Sequence, residues 1–145
     1  MRKPSNVIDR SPIRLLHRAS QGVTELFVVE IGDNDLTQRQ LTVLITVAHN
    51  ESRNQAELVN LTGIDRSTLA DIVKRMQRKG LLRRRRTNQD ARAYAVKLTA
   101  EGRQLVQTVE PLGKRIDACV LEALPARRRD EFVEALQLIV DKLTR

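Results

Sequence analysis

Aromatic residues are scarce in this chain. Phe27, Tyr94 and Phe132 are the whole set among 145 residues, and tryptophan is absent. Proteins that hold single-stranded nucleic acid stack its bases on aromatic rings, so that mode of binding is excluded as a main activity. Cysteine is scarcer still. Cys119 stands alone and cannot form an internal disulfide, which fits a reducing compartment. No uninterrupted apolar run approaches the roughly 18 residues of a membrane span, and the amino terminus lacks a signal-peptide core. A soluble, cytoplasmic protein with no membrane partner is expected. His17 and His49 are the only histidines and with one cysteine they make no zinc site. No Gly-rich phosphate loop, Ser/His/Asp set or pair of carboxylates in an apolar setting is present. No metal, no cofactor and no enzymatic activity are expected.

Positive charge is what the chain has, and it is local. The net charge is +8. From Arg66 to Arg92, with Lys97, eleven bases face two acids, Asp71 and Asp90, so this window carries +9 and the remainder −1. A polyanion-binding footprint has that distribution. A solvated basic loop is the plainer alternative.

The order of elements decides between them. Ser11-Pro12 reads as the cap and first residue of a helix, with Ile13, Leu16, Ala19, Val23, Leu26 and Phe27 at helical spacing. Gly32 to Asp35 stops it. Thr37 with Gln40 forms a capping box for a second helix carrying Leu41, Leu44, Ile45 and Ala48. Asn54 with Glu57 opens a short third helix, which Gly63 ends. Asp65 caps a fourth, with Leu69, Ile72, Val73 and Met76 on its buried side and Gly80 at its close. Two short helices around a tight Gly-containing turn mark a helix-turn-helix. Residues 81–86 and 93–98 suit two short strands joined by turn residues 87–90, a basic hairpin of the kind called a wing. Thr99 caps a long helix reaching about Leu124. Its residues Leu105, Val109, Leu112, Ile116, Cys119 and Ala123 follow a heptad seam, and Pro111 should kink it. Pro125 is expected to start a last helix with Phe132, Leu136, Ile139, Val140 and Leu143.

Asp65-Arg66-Ser67-Thr68-Leu69, the exit Lys79-Gly80-Leu81-Leu82, the triplet Asp90-Ala91-Arg92, and Leu98-Thr99 with Gly102 occur in this order. In that order the chain resembles the multiple-antibiotic-resistance regulator (MarR) family of bacterial transcription factors. The resemblance covers about residues 36–105 by motif and the rest by architecture. It implies a mainly α winged helix-turn-helix fold with a small two- or three-stranded antiparallel wing. A single domain over 1–145 is expected. Helices at about 11–35 and 100–145 would dimerise, and the DNA-binding lobe would lie at about 36–99. The implied partners are double-stranded DNA and a second copy of the chain, meeting on a pseudo-palindromic operator at the nucleoid.

Helical geometry then sorts the basic segment. At about 100° per residue, Ser67, Asp71, Lys74 and Arg78 fall opposite the apolar stripe, with Thr68 and Arg75 beside them. Residues near the start of such a helix reach base edges, so Ser67, Thr68, Asp71 and Lys74 are base-reading candidates. Asp71 either accepts from a cytosine amine, orients Lys74 or Arg75, or is an i,i+4 partner of Arg75. Arg75 and Arg78 suit phosphates. In the wing, strand alternation lets about half of Arg83 to Arg86 point at one DNA backbone. Arg85 and Arg86 are taken as contacts, and at least one of Arg83 and Arg84 as solvated. The family resemblance gives Arg92 a place in the minor groove, and Asp90 is expected to hold the wing by pairing with a nearby arginine.

The resemblance also implies a small effector, often an aromatic carboxylate or an aromatic acyl-CoA thioester. The opening "SPIRLLHRASQ" is loosely like members that control hydroxycinnamate breakdown. Arg14, His17 and Arg18 are candidates for receiving such an anion; a solvated polar face is the plainer alternative. The expected function is a ligand-responsive repressor. A non-sensing activator, or a thiol switch at Cys119, is the alternative; Cys119 also reads as a small buried hydrophobe.

Overall fold

A computed structural model describes residues 7–87 and 90–144, with side chains over 9–86 and 94–144. The order is α1 (Pro12–Ile31), α2 (Gln38–His49), β1 (Arg53–Asn54), α3 (Gln55–Thr62), α4 (Arg66–Arg78), β2 (Leu82–Thr87), β3 (Asp90–Leu98), α5 (Ala100–Glu122) and α6 (Arg129–Leu143). Short 3-10 turns precede α1, follow it, and precede α6.

Caps set these boundaries. Thr37 and Gln40 form the reciprocal capping box of α2, which satisfies two donors that a helix start leaves unpaired. Asn54 and Asp65 accept the N–H of Glu57 and Thr68 to start α3 and α4. Gly63 ends α3 at φ 70°, a left-handed conformation that costs glycine little. Ser11 takes the cap position of α1, but its side chain makes no capping hydrogen bond.

The three strands form one antiparallel sheet in the order β1–β3–β2. β1 is absent from the sequence reading: Arg53 and Asn54 pair with Val96 and Ala95 of β3. The sheet closes one side of a core in which Val43, Leu44, Val47, Leu58, Leu69, Val73, Met76 and Val96 are buried. A smaller cluster of Phe27, Ile31, Leu41, Val109 and Ile116 joins α1, α2 and α5. Leu36 and Leu105 pack against both clusters, so the lobe and the long helices are one continuous interior.

The long helices differ from the expected stripes. In α1, Phe27 and Ile31 are buried, but Ile13 is 69% exposed and Leu16 40%. In α5, Val109 and Ile116 of the expected seam are buried and Leu105 and Leu112 half-buried, while Cys119 and Ala123 are exposed. Gly102 and Val106 are buried instead, because the first turns of α5 pack on the lobe. Pro111 lies inside α5 without ending it. Pro125 does not start the last helix: it leads into a 3-10 turn, Ala126–Arg128, and α6 begins at Arg129. None of the described residues of α6 is buried.

Candidate nucleic-acid interface

Amphipathicity seats α4. Leu69, Val73 and Met76 are fully buried and Ile72 nearly so, which fixes the helix by its inner side. The other side presents Ser67, Asp71, Lys74, Arg75 and Arg78 to solvent, with Thr68 half-buried. The sequence-derived face is therefore gathered on one exposed surface.

The start of α4 is more organised than the sequence suggests. Asp65 accepts three bonds besides its helical role: from the Thr68 hydroxyl (2.6 Å), the Thr68 N–H (2.9 Å) and the Ser67 hydroxyl (2.9 Å). Those bonds, Thr68 first, hold its carboxyl down at about 2, with Arg39 nearby adding a little. The hydroxyl protons of Ser67 and Thr68 thus already have an acceptor. What these two side chains offer a base edge is their oxygen lone pairs. Asp71 forms no ion pair among the described residues, so its pairing with Arg75 is not made in this chain.

Sheet register sorts the wing. Arg84 and Arg86 lie opposite Val96 and Tyr94; Arg83 and Arg85 lie opposite Lys97 and Ala95. Directly paired residues share a face, so Arg83, Arg85 and Lys97 form an outer basic face. Arg84 and Arg86 belong to the face that carries the buried Val96. Arg86 is held by Tyr94: its Nε donates to the tyrosine hydroxyl at 3.3 Å, and its Cζ lies 5.8 Å from the ring centre. Arg85 and Arg86 therefore point to opposite sides. The side chains of Asp90 and Arg92 lie outside the described residues; their backbones belong to β3.

Two contacts that sequence reasoning missed tie this surface to the long helices. Lys79, just past α4, donates from Nζ to the Asp35 carbonyl (2.9 Å) and carboxylate (3.0 Å) in the turn between α1 and α2. His49 Nε2 lies 2.5 Å from Glu110 Oε1, linking the end of α2 to α5. That hydrogen bond, above all, lowers the Glu110 carboxyl below its ordinary value. Both partnerships span more than forty positions, so no local pattern signals them. Gly102 explains how α5 meets the wing: a Cβ there would stand 2.0 Å from the Leu81 carbonyl oxygen.

Two concave regions flank Phe27. One, of about 830 Å³, lies between α1 and the last turn of α4. The other, of about 480 Å³, lies between α1, α2 and α5. Arg14, His17 and Arg18 are exposed on the first turns of α1 and line neither. Among the described residues, no helix is long and apolar enough to cross a membrane, and no cluster of three or more His, Cys, Asp or Glu is placed to hold a metal.

Comparison with known proteins agrees with this geometry. The model of the MarR family matches residues 34–93. The transcriptional regulator HosA of Escherichia coli O157:H7 is 31% identical over 107 residues, covering 74% of this chain and 79% of HosA. BpsR of Bordetella bronchiseptica, whose DNA binding is regulated by 6-hydroxynicotinic acid, superposes with a TM-score of 0.86 at 27% identity, over 96% of this chain and 99% of that one. The transcriptional repressor CouR, solved on a 23-mer DNA duplex, gives 0.85 at 26% identity, over 97% and 99%.

Proposed function

The chain belongs to the MarR family of DNA-binding transcriptional regulators, and from that premise we propose that it is a repressor that binds a pseudo-palindromic operator as a homodimer and leaves it on binding a small aromatic acid or its CoA thioester. The observation that carries the reading is α4: its inner side is fixed by fully buried Leu69, Val73 and Met76, and its outer side presents Ser67, Lys74, Arg75 and Arg78 to solvent with the single acid Asp71 among them. A helix so placed fits the major groove. In this reading Ser67, Thr68, Asp71 and Lys74 read bases, and Arg75 and Arg78 hold phosphates. Arg85 and Arg92 of the wing add affinity and groove-width preference, and Asp90 braces the wing. Arg86, on the other face, serves the flanking backbone.

The dimer part rests on the apolar side chains that the single chain leaves in solvent. Ile13 of α1 and Leu138 and Leu143 of α6 are 69%, 71% and 75% exposed. The repressor and effector parts rest on CouR and BpsR, a repressor and a regulator answering to an aromatic acid. Arg14, His17 and Arg18 would then meet the effector only where a second copy completes the site.

Fluorescence anisotropy with a labelled palindrome from the chain's own promoter tests this. Affinity should fall as salt rises, because phosphate contacts release counterions. Lys74→Ala should weaken the palindrome more than a scrambled duplex, whereas Arg78→Ala should weaken both alike. Hydroxybenzoates, hydroxynicotinates or their thioesters should release the duplex. A monomer in sedimentation that binds scrambled and palindromic DNA equally would end the proposal.

A further inference from the structure

A carboxylate fixes where two hydroxyls of α4 send their protons. Ser67 Oγ lies 2.9 Å and Thr68 Oγ1 2.6 Å from the Asp65 carboxylate. A hydroxyl is ordinarily ambivalent toward DNA: it donates to one base edge and accepts from another, and so selects little. These two have lost that freedom. Asp65 titrates at about 2, so near neutral pH it carries no proton and both bonds are donated by the hydroxyls. A hydrogen bond to a carboxylate is about twice as strong as one between neutral groups. Guanine O6 and thymine O4 are neutral acceptors and do not compensate for breaking it. Thr68 is half-buried and Ser67 exposed, so Ser67 is the better placed to meet a base. Asp71 follows four residues later on the same exposed face, forms no ion pair among the described residues, and as a carboxylate accepts without donating. Lys74 comes next on that face and only donates.

We propose that the start of α4 sorts bases by hydrogen-bond polarity: Ser67 and Asp71 each require an exocyclic amine, adenine N6 or cytosine N4, on the base they meet, and Lys74 takes guanine O6 and N7 in the same half-site. Guanine and thymine hold a carbonyl oxygen where adenine and cytosine hold the amine. An oxygen lone pair held over one strand therefore accepts from adenine or cytosine and is repelled by guanine or thymine. A free hydroxyl would tolerate all four. Asp65 touches no base. It is a positioning residue that makes Ser67 selective. The half-site acquires a direction, with amine-bearing bases toward the start of α4 and guanine toward Lys74. The inference rests on the reading of α4 as the base-reading helix and adds the chemistry of the bases it reads.

Selection by the whole protein from duplexes with a randomised centre gives a preferred sequence, and fluorescence anisotropy measures its single-base variants. The pair read by Ser67 is the one whose preference Ser67→Ala abolishes. There the unaltered protein should favour adenine or cytosine over guanine or thymine by about ten-fold, the scale of one base-edge contact. Deleting the amine alone, with purine in place of adenine or 2-pyrimidinone in place of cytosine, should lose as much. Asp65→Asn keeps a good cap for α4 and releases the hydroxyl, so the preference at that pair should shrink below about three-fold. The pair read by Asp71, located with Asp71→Ala, should also need its amine yet be indifferent to Asp65→Asn. Circular dichroism confirms that the variants fold. A carbonyl-bearing base favoured at the Ser67 pair, an amine deletion without effect, or undiminished preference in Asp65→Asn overturns the inference. So does a Ser67→Ala variant that alters no base preference. Equal loss of preference at both pairs in Asp65→Asn would mark a merely structural effect and overturns it too. Failure of the underlying reading looks different: no sequence is enriched at all, and the inference falls with it.

Discussion

Replacing Gly102 with alanine tests the closest approach of backbone to any glycine of the described chain. The new Cβ would lie 2.0 Å from the Leu81 carbonyl oxygen, 3.0 Å from its carbon and 3.2 Å from Leu98 Cδ2. Backbone must therefore retreat by about 1 Å to restore even the closest tolerated approach. It cannot retreat freely. The Leu81 carbonyl accepts the Thr99 N–H (3.1 Å), and the Thr99 hydroxyl both donates to the Gly80 carbonyl (2.6 Å) and accepts from Gly102 N–H as the cap of α5 (3.0 Å). Overpacking of this kind costs about 1–3 kcal/mol, and loss of the cap about 1 kcal/mol. Alanine's better helix propensity returns less than about 1 kcal/mol. The net loss is about 1–4 kcal/mol, a fall in Tm of about 3–13 °C for a chain of this size. Gly113 in the same helix is the control. A Cβ there meets only Leu41 Cδ2, at 3.7 Å, so Gly113→Ala should stabilise by up to about 1 kcal/mol. Calorimetry of both variants gives the answer. The same sign of Tm change in both, or a Gly102→Ala change within about 1 °C, would refute the reasoning.

Other outcomes follow from the same geometry. Asp65 should titrate at about 2 in the folded chain, against 3.8 when unfolded. Its folded value is depressed, so the stability it contributes is complete above the unfolded value and is lost as pH falls from there through about 2. Carbon-detected NMR of the carboxyl checks this, and a midpoint near 3.8 would contradict the three-bond arrangement. His49→Ala should raise the Glu110 titration toward its ordinary range, since the imidazole is the first cause of its lowering; an unmoved midpoint would remove the α2–α5 link. Leu69→Ala and Met76→Ala, at fully buried positions, should each cost about 2–5 kcal/mol in urea unfolding. Lys79→Met should cost less than about 1 kcal/mol, because the carboxylate it meets is 90% exposed.

Much of the lobe is legible in the sequence because its signals are local. Thr37 with Gln40, Asn54 with Glu57, Asp65 with Thr68 and Thr99 with Gly102 are pairs three residues apart, and each makes the capping bond its spacing implies. The stripe of α4 reads equally well, since one helix packing on one core needs one face. Where two bodies share a helix, the pattern blurs. α5 serves the lobe through Gly102 and Val106 and the α1 side through Val109 and Ile116. No single heptad describes that, and Cys119 falls outside both. β1 is two residues long and depends on a strand about forty positions away. Ser67 and Thr68 were legible as hydroxyls on the right face, but their engagement by Asp65 depends on side-chain rotamers that no spacing rule encodes.

α6 has a consequence for how long a copy of this chain lasts. It is 15 residues long and buries none of its described side chains. A helix of about that length is marginal in water without packing. In the proposed homodimer its persistence would therefore be a function of protein concentration, through the partner that covers it. In the proposed assembly, dilution strips α6 of its cover and presents a fraying, apolar segment to proteases. Surplus unpaired chains would be cleared first, so turnover itself would hold the pool of this protein close to the paired form.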